Sequence, residues 1–233
     1  MRSFAKPGLL FSSLLCLAGC VTALPPHVER AGTLPDARYA QFDAAVASLP
    51  KIDSIGGQGR FPEPKWVYAF DAPFDPRAAP LQIGGFTGHG DDAARVASNL
   101  PGQLVRVIGE ARLFPQVTLQ PTPHAYVLSG TVTRADNQET MDNGASTQIE
   151  ATVSRDGREI GAIQVNAVQI GVMPFSPFML VASAVMSAGQ GSRAAFVAER
   201  VSELFASTSD GAKARAWSGG ISRRFLYTPA ATD

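Results

Sequence analysis

The chemistry this sequence offers is concentrated at Cys20, the last residue of Leu17-Ala18-Gly19-Cys20. Its thiol can carry a thioether-linked lipid, and each buried methylene of an acyl chain adds about 0.8 kcal/mol of membrane affinity. The other polar candidates do not assemble into a reactive set. His27 follows Pro25-Pro26, His89 sits between Gly88 and Gly90, and His124 follows Pro123. No His-x-x-x-His, His-Glu-x-x-His or carboxylate cluster accompanies them, so they read as solvated loop residues rather than metal ligands. Asp91-Asp92 suits the first turn of a helix, where carboxylates oppose the positive end of the dipole, better than a cation site. Gly84-Gly85-x-x-Gly88-x-Gly90 lacks the spacing and the Lys-Ser/Thr of a phosphate loop and reads as a strand-to-helix turn. No serine stands in Gly-x-Ser-x-Gly. The expectation is a non-enzymatic chain with no metal and no cofactor.

What positions Cys20 is the segment before it. Arg2 and Lys6 are basic, no acid accompanies them, and an uncharged run from Pro7 to Leu17 leads to small residues. That order matches a secretory signal peptide: basic start, short apolar centre, small-residue cleavage site. The run is too short to cross a bilayer, which takes about 20 residues. Removing Arg2 and Lys6 from 20 basic residues leaves 18 against 20 acidic ones. A charge near −2 gives no electrostatic case for nucleic acid or an anionic surface. Cys16 falls in the discarded run, and Cys20 would be blocked by lipid. The mature chain then holds no free thiol, disulfide or cysteine-ligated metal.

Leu17-Ala18-Gly19-Cys20 resembles the lipobox of bacterial lipoproteins. The resemblance implies that Cys20 receives a diacylglyceryl group, becomes the first mature residue and is usually triacylated, palmitate being a typical chain. Two or more chains make a stable anchor where one is marginal. In that family an aspartate after the cysteine favours inner-membrane retention. Val21 stands there instead, which implies the outer membrane, facing the periplasm.

The mature chain is long enough to bury a core without staples. The expected division is a signal peptide over 1–19, a lipidated tether over 20–34, an N-terminal helix with connecting loops over 35–80, and an α+β domain over 81–228. Val21 to Thr33 carries Pro25-Pro26 and reads as a tether. After Pro35-Asp36, Tyr39, Phe42, Val46 and Leu49 recur at helical spacing. Lys51 to Pro64 is glycine- and proline-rich loop. Strands are expected over 65–70, 81–86, 117–119, 126–133, 147–155, 158–168 and 221–227. Asp156-Gly157 between two alternating runs is a hairpin signal, because both turn positions need positive φ. Val96, Leu100, Leu104 and Ile108 mark a long helix from Asp91, with a kink or restart expected at Pro101. Ser192 opens a second, bearing Val197, Val201, Leu204 and Phe205. The order gives an α+β fold: an antiparallel or mixed sheet with two main helices on one face, plus the N-terminal helix.

Glu110-Ala111-Arg112-Leu113-Phe114-Pro115-Gln116-Val117 followed by Ala125-Tyr126-Val127-Leu128-Ser129-Gly130 resembles envelope lipoproteins sharing a small domain related to the amino-terminal domain of TolB. That group includes the curli-secretion lipoprotein, the activators of penicillin-binding proteins and the auxiliary lipoproteins of lipid-transporting ABC systems. It implies a binding or assembly role, with another envelope protein as partner and an oligomer possible.

Ile160 to Ser192 contains no charged residue. Its centre, 172–188, reads as a buried strand, loop and core helix, or as an exposed apolar interface built on Phe175, Phe178, Met179 and Leu180. Pro174 and Pro177 leave too short a run for a helical crossing. An oligomeric secretion-pore subunit inserting 172–188 in the membrane is the alternative function, and a periplasmic hydrolase a further one. Arg223-Arg224, flanked by Phe225 and Tyr227, read as solvent-facing charge at a sheet edge.

Overall fold

The computed structural model describes residues 28–49, 52–53, 59–60, 64–137, 144–170 and 190–218. Helix α1 spans Asp36–Ala47, and a two-residue ladder joins β1 (Ile52–Asp53) to β2 (Gly59–Arg60) where only loop was expected. The other elements are β3 (Trp66–Phe70), β4 (Leu81–Gly88), α2 (Asp91–Ala111), β5 (Val117–Thr118), β6 (Tyr126–Asn137), β7 (Gly144–Arg155), β8 (Arg158–Ile170), α3 (Gln190–Ser207) and β9 (Ala214–Trp217). The seven strands from β3 to β9 form one mixed sheet in the order β5-β4-β6-β7-β8-β3-β9. The class is α+β, as the element order implies.

Local chemistry sets the turns and crossings. Between β7 and β8, Asp156 and Gly157 take φ of 51° and 77°, the positive values that a two-residue hairpin needs and that Asp-Gly tolerates. Strands β4 and β6 pair in parallel, so the chain must cross over between them, and α2 is that crossover. Asp91 and Asp92 occupy its first turn. Of the kink or restart expected at Pro101, the restart does not occur: the helix runs through the proline as one element. Leu100 and Leu104, on either side of the proline, are fully buried. Each such side chain is worth about 1.5–3 kcal/mol, enough to offset the lost amide bond of one proline.

The sheet has two unequal faces. Trp66, Tyr68, Phe70, Leu128, Ile149, Ile163 and Val165 form the front, packed beneath α2 and α3 in one large core. At its end Phe70, Phe74, Phe114, Tyr126 and Phe205 stack or tilt on one another, with ring centroids 4.3 Å apart for Phe70 and Phe74. Gly130 of the Leu128-Ser129-Gly130 phrase has a structural cause: a Cβ there would lie 2.2 Å from the Glu150 carbonyl oxygen. On the back, α1 covers β3, β8 and β9 through Tyr39, Phe42, Val46, Val67, Ala69, Ala162 and Ala216. The expected strand over 221–227 lies outside the described residues; the described edge strands are β5 and β9.

Candidate functional site

Cys20, Phe175, Phe178, Met179 and Leu180 lie outside the described residues, as do His27 and Arg223-Arg224. His89 is exposed in its turn. His124 Nδ1 lies 3.0 Å from Asp156 Oδ1, both side chains being well exposed. Among the described residues no three His, Cys, Asp or Glu side chains gather as a metal would require. Among them, too, no helix is long and apolar enough to cross a membrane.

The most organised polar site is on the back of the sheet. The alternation of β7 and β8 places Gln148, Glu150 and Gln164 on this face, and each is at most 2% exposed. They are buried because residues 28–34 run across them as a strap. Gln164 Nε2 donates to the Glu29 carbonyl at 2.7 Å and to Glu150 Oε1 at 2.8 Å. Glu150 also accepts from the Thr33 hydroxyl, from the Tyr39 hydroxyl at 2.7 Å and from the Ala31 amide at 3.4 Å. These donors are all neutral groups. A buried carboxylate is tolerable only when its oxygens are so bonded.

Tyr39 is the second member of the latch. Its hydroxyl accepts from the Gly32 amide at 2.8 Å and the Leu34 amide at 3.3 Å while donating to Glu150. Burial, and then the bond to the Glu150 carboxylate, hold that hydroxyl above its ordinary pKa. Gly32 turns the strap with φ 79°, a conformation open to glycine at no steric cost. The strap's start is fixed to α1: the Val28 amide donates to Asp43 Oδ1 at 2.9 Å, and Arg30 pairs with Asp43 at 2.9 Å.

A third set fixes α1 itself. Arg38, largely buried, pairs with Asp71 at 2.8 Å and with Glu159 at 2.9 Å. Burial opposes its charge, but the hydrogen bonds to Glu159 and Asp71 outweigh that and hold its pKa above the ordinary value. Strap, helix and sheet are therefore joined by polar contacts spanning more than a hundred residues of sequence.

At the aromatic end of the core a groove of about 450 Å³ opens between the 73–77 connection and the end of α3, floored by Phe74 and Phe205 and edged by Arg77. Its walls mix polar residues, Asp75, Arg77, Thr208 and Ser209, with the apolar floor.

Tyr39 lies on a packed helical face as its spacing implies, whereas no spacing singles out Glu150. In Gln148-Ile149-Glu150-Ala151, a polar residue in an alternating strand carries the same signal whether its face meets water or a strap.

No protein-family model and no curated protein matches the chain. Solved structures with a similar arrangement include the PelC dodecamer from Paraburkholderia phytofirmans, 14% identical, covering 60% of this chain and 95% of that one, with a TM-score of 0.39. Protein XCC0632 from Xanthomonas campestris, of the DUF330 family, is 12% identical over 61% and 95% of the two chains, with a TM-score of 0.43. A minor lipoprotein from Acinetobacter baumannii is 12% identical over 61% and 98%, with a TM-score of 0.34. Similarity at this level leaves the function of this chain to be argued from its own residues.

Proposed function

We propose that the chain is an outer-membrane-anchored periplasmic lipoprotein whose domain acts as a non-enzymatic binding component of an envelope transport or assembly system. The observation that carries this reading is the distance along the chain between Cys20 and the strap. Val28, the first of the described residues, is bonded to the domain through Asp43, eight residues after Cys20. Eight residues reach at most about 29 Å. A lipid on Cys20 would therefore hold the back of the sheet close to the bilayer, with no long flexible linker between them. Anchored proteins that work away from the membrane need the opposite, a long spacer. Gln148, Glu150 and Gln164 of the back face are bonded to the strap, which supports a positioning role for this buried set.

The test is metabolic labelling with radioactive palmitate in a Gram-negative host. Label is expected on the wild type and on Cys16→Ala, and lost in Cys20→Ala; globomycin should accumulate the precursor. Val21→Asp should move the protein from the outer to the inner membrane fraction. Native protein recovered from cytosol with Met1 in place and no acyl mass would overturn the reading.

A further inference from the structure

Two buried donors, one on β3 and one on α3, have no hydrogen-bond partner among the described residues: Trp66 Nε1 and Arg200 Nε. Leaving a buried N–H unpaired is costly, and an orphan in a native structure calls for a cause, an unfilled ligand position among them. Trp66 opens β3 and belongs to the same core cluster as Val197, Ala198 and Val201, the residues around Arg200 on α3. Lys65, next to Trp66, feels the charges of both Arg200 and Glu203.

The charges there are arranged for an anion. Arg200 is buried, its side chain 4% exposed, with its guanidinium 4.8 Å from the Phe196 ring centroid. Glu203 takes only Nη1, at 2.6 Å for one oxygen and with the other oxygen close by. The Nε side of the fork, which binds carboxylates and phosphates in paired fashion, is the side left over. The Lys65 ammonium stands 5.5 Å from the Trp217 ring centroid, and Trp217 stacks on Trp66 at 6.1 Å. Burial first, then the Arg200 charge, lower the Lys65 pKa; an anion between the two cations would relieve that strain. Glu203 and Trp217 are partly exposed, which gives the cluster a solvent side.

We propose that Trp66 Nε1 and Arg200 Nε, with the Lys65 ammonium beside them, form a binding site for an oxyanion, the carboxylate or phosphate of a small ligand or headgroup. Glu203 partly neutralises Arg200 in the empty state and competes with the incoming anion. This site is independent of the lipid anchor.

The chain has two tryptophans, so the full protein labelled with ¹⁵N-tryptophan, in neutral detergent, gives two indole signals, assigned with Trp217→Phe. Titrations use acetate, inorganic phosphate and micelles doped with phosphatidylglycerol, against chloride at equal ionic strength. A saturable shift of the Trp66 indole proton with acetate or phosphate assigns the site to a soluble oxyanion. A shift with doped micelles alone assigns it to a headgroup. Lys65→Gln is expected to weaken binding about tenfold, the scale of one charge-assisted contact. Glu203→Gln should tighten it. Arg200→Lys keeps a buried cation but loses the Nε donor, and should abolish the shift in folded protein. A Trp66 indole unmoved by all three probes, or one that moves equally in Arg200→Lys, overturns the proposal; the orphans would then be solvated by water.

Discussion

The Tyr39 hydroxyl donates to Glu150 at 2.7 Å across 111 residues of sequence. That one bond ties the strap, the first helix and the centre of the sheet together, because the same hydroxyl accepts from two strap amides. Removing it leaves a buried carboxylate short of a donor and two amides short of an acceptor. Tyr39→Phe is therefore expected to cost about 1–3 kcal/mol, measured by urea unfolding. Glu150→Leu should cost less than the sum of its lost bonds, since it also removes the buried charge. A neutral Tyr39→Phe would mean that the strap contributes nothing to stability.

The raised pKa of Tyr39 fixes the direction of a pH effect. Burial and the neighbouring carboxylate favour the protonated phenol in the folded state. That stabilisation is complete below the unfolded value of about 10 and is lost as pH rises through the folded value. Burial raises Tyr68 and Tyr126 as well, so the wild-type Tm should fall as pH climbs beyond about 10. Tyr39→Phe starts from a lower Tm but should fall less steeply. Parallel slopes for the two proteins would assign the alkaline limb to the other tyrosines.

Glycines offer a sharper test of packing. A Cβ on Gly161 would lie 2.1 Å from Cδ1 of Phe70 and 2.8 Å from the Ala69 carbonyl oxygen. Gly161→Ala must move a strand or a core ring, and is expected to cost about 1–3 kcal/mol. Gly109, inside α2, meets nothing within 4 Å. Gly109→Ala should instead stabilise, by about 0.5–1 kcal/mol. Thermal melts that rank the two variants in the opposite order would contradict the front-face packing.

Most elements were legible because periodicity and turn chemistry are local. The Asp156-Gly157 hairpin, the buried positions of α2 and α3 and the face of α1 bearing Tyr39, Phe42 and Val46 all lie where spacing put them. Pro101 does not restart the helix because burial of Leu100 and Leu104, not local propensity alone, fixes it. Residues 28–34 read as tether because their bonds run from main chain to side chains 5 to 135 positions away. Main-chain donors leave no mark in side-chain composition. Glu150 was invisible for the complementary reason: only the strap, which hides it, distinguishes it from a solvated strand residue. The orphaned donors at Trp66 and Arg200 depend on α3 lying over β3, a relationship that no spacing encodes.

Arg30 supplies a test that couples the strap to the membrane. Its side chain is 51% exposed, so trypsin can find it. Cleavage also requires about ten residues of extended backbone, and here the main chain is held at Val28, Glu29, Gly32 and Leu34. Cutting therefore depends on local opening, whose population follows the stability of the latch. In membranes carrying the wild type, release of the domain by trypsin at the 30–31 bond should be slow. Tyr39→Phe, by removing about 1–3 kcal/mol from that opening equilibrium, should speed release roughly five- to a hundredfold when opening is fast relative to cleavage. The released fragment should begin at Ala31, read by mass spectrometry of the supernatant. Equal release rates from the two proteins would mean that the strap opens independently of the Tyr39–Glu150 bond.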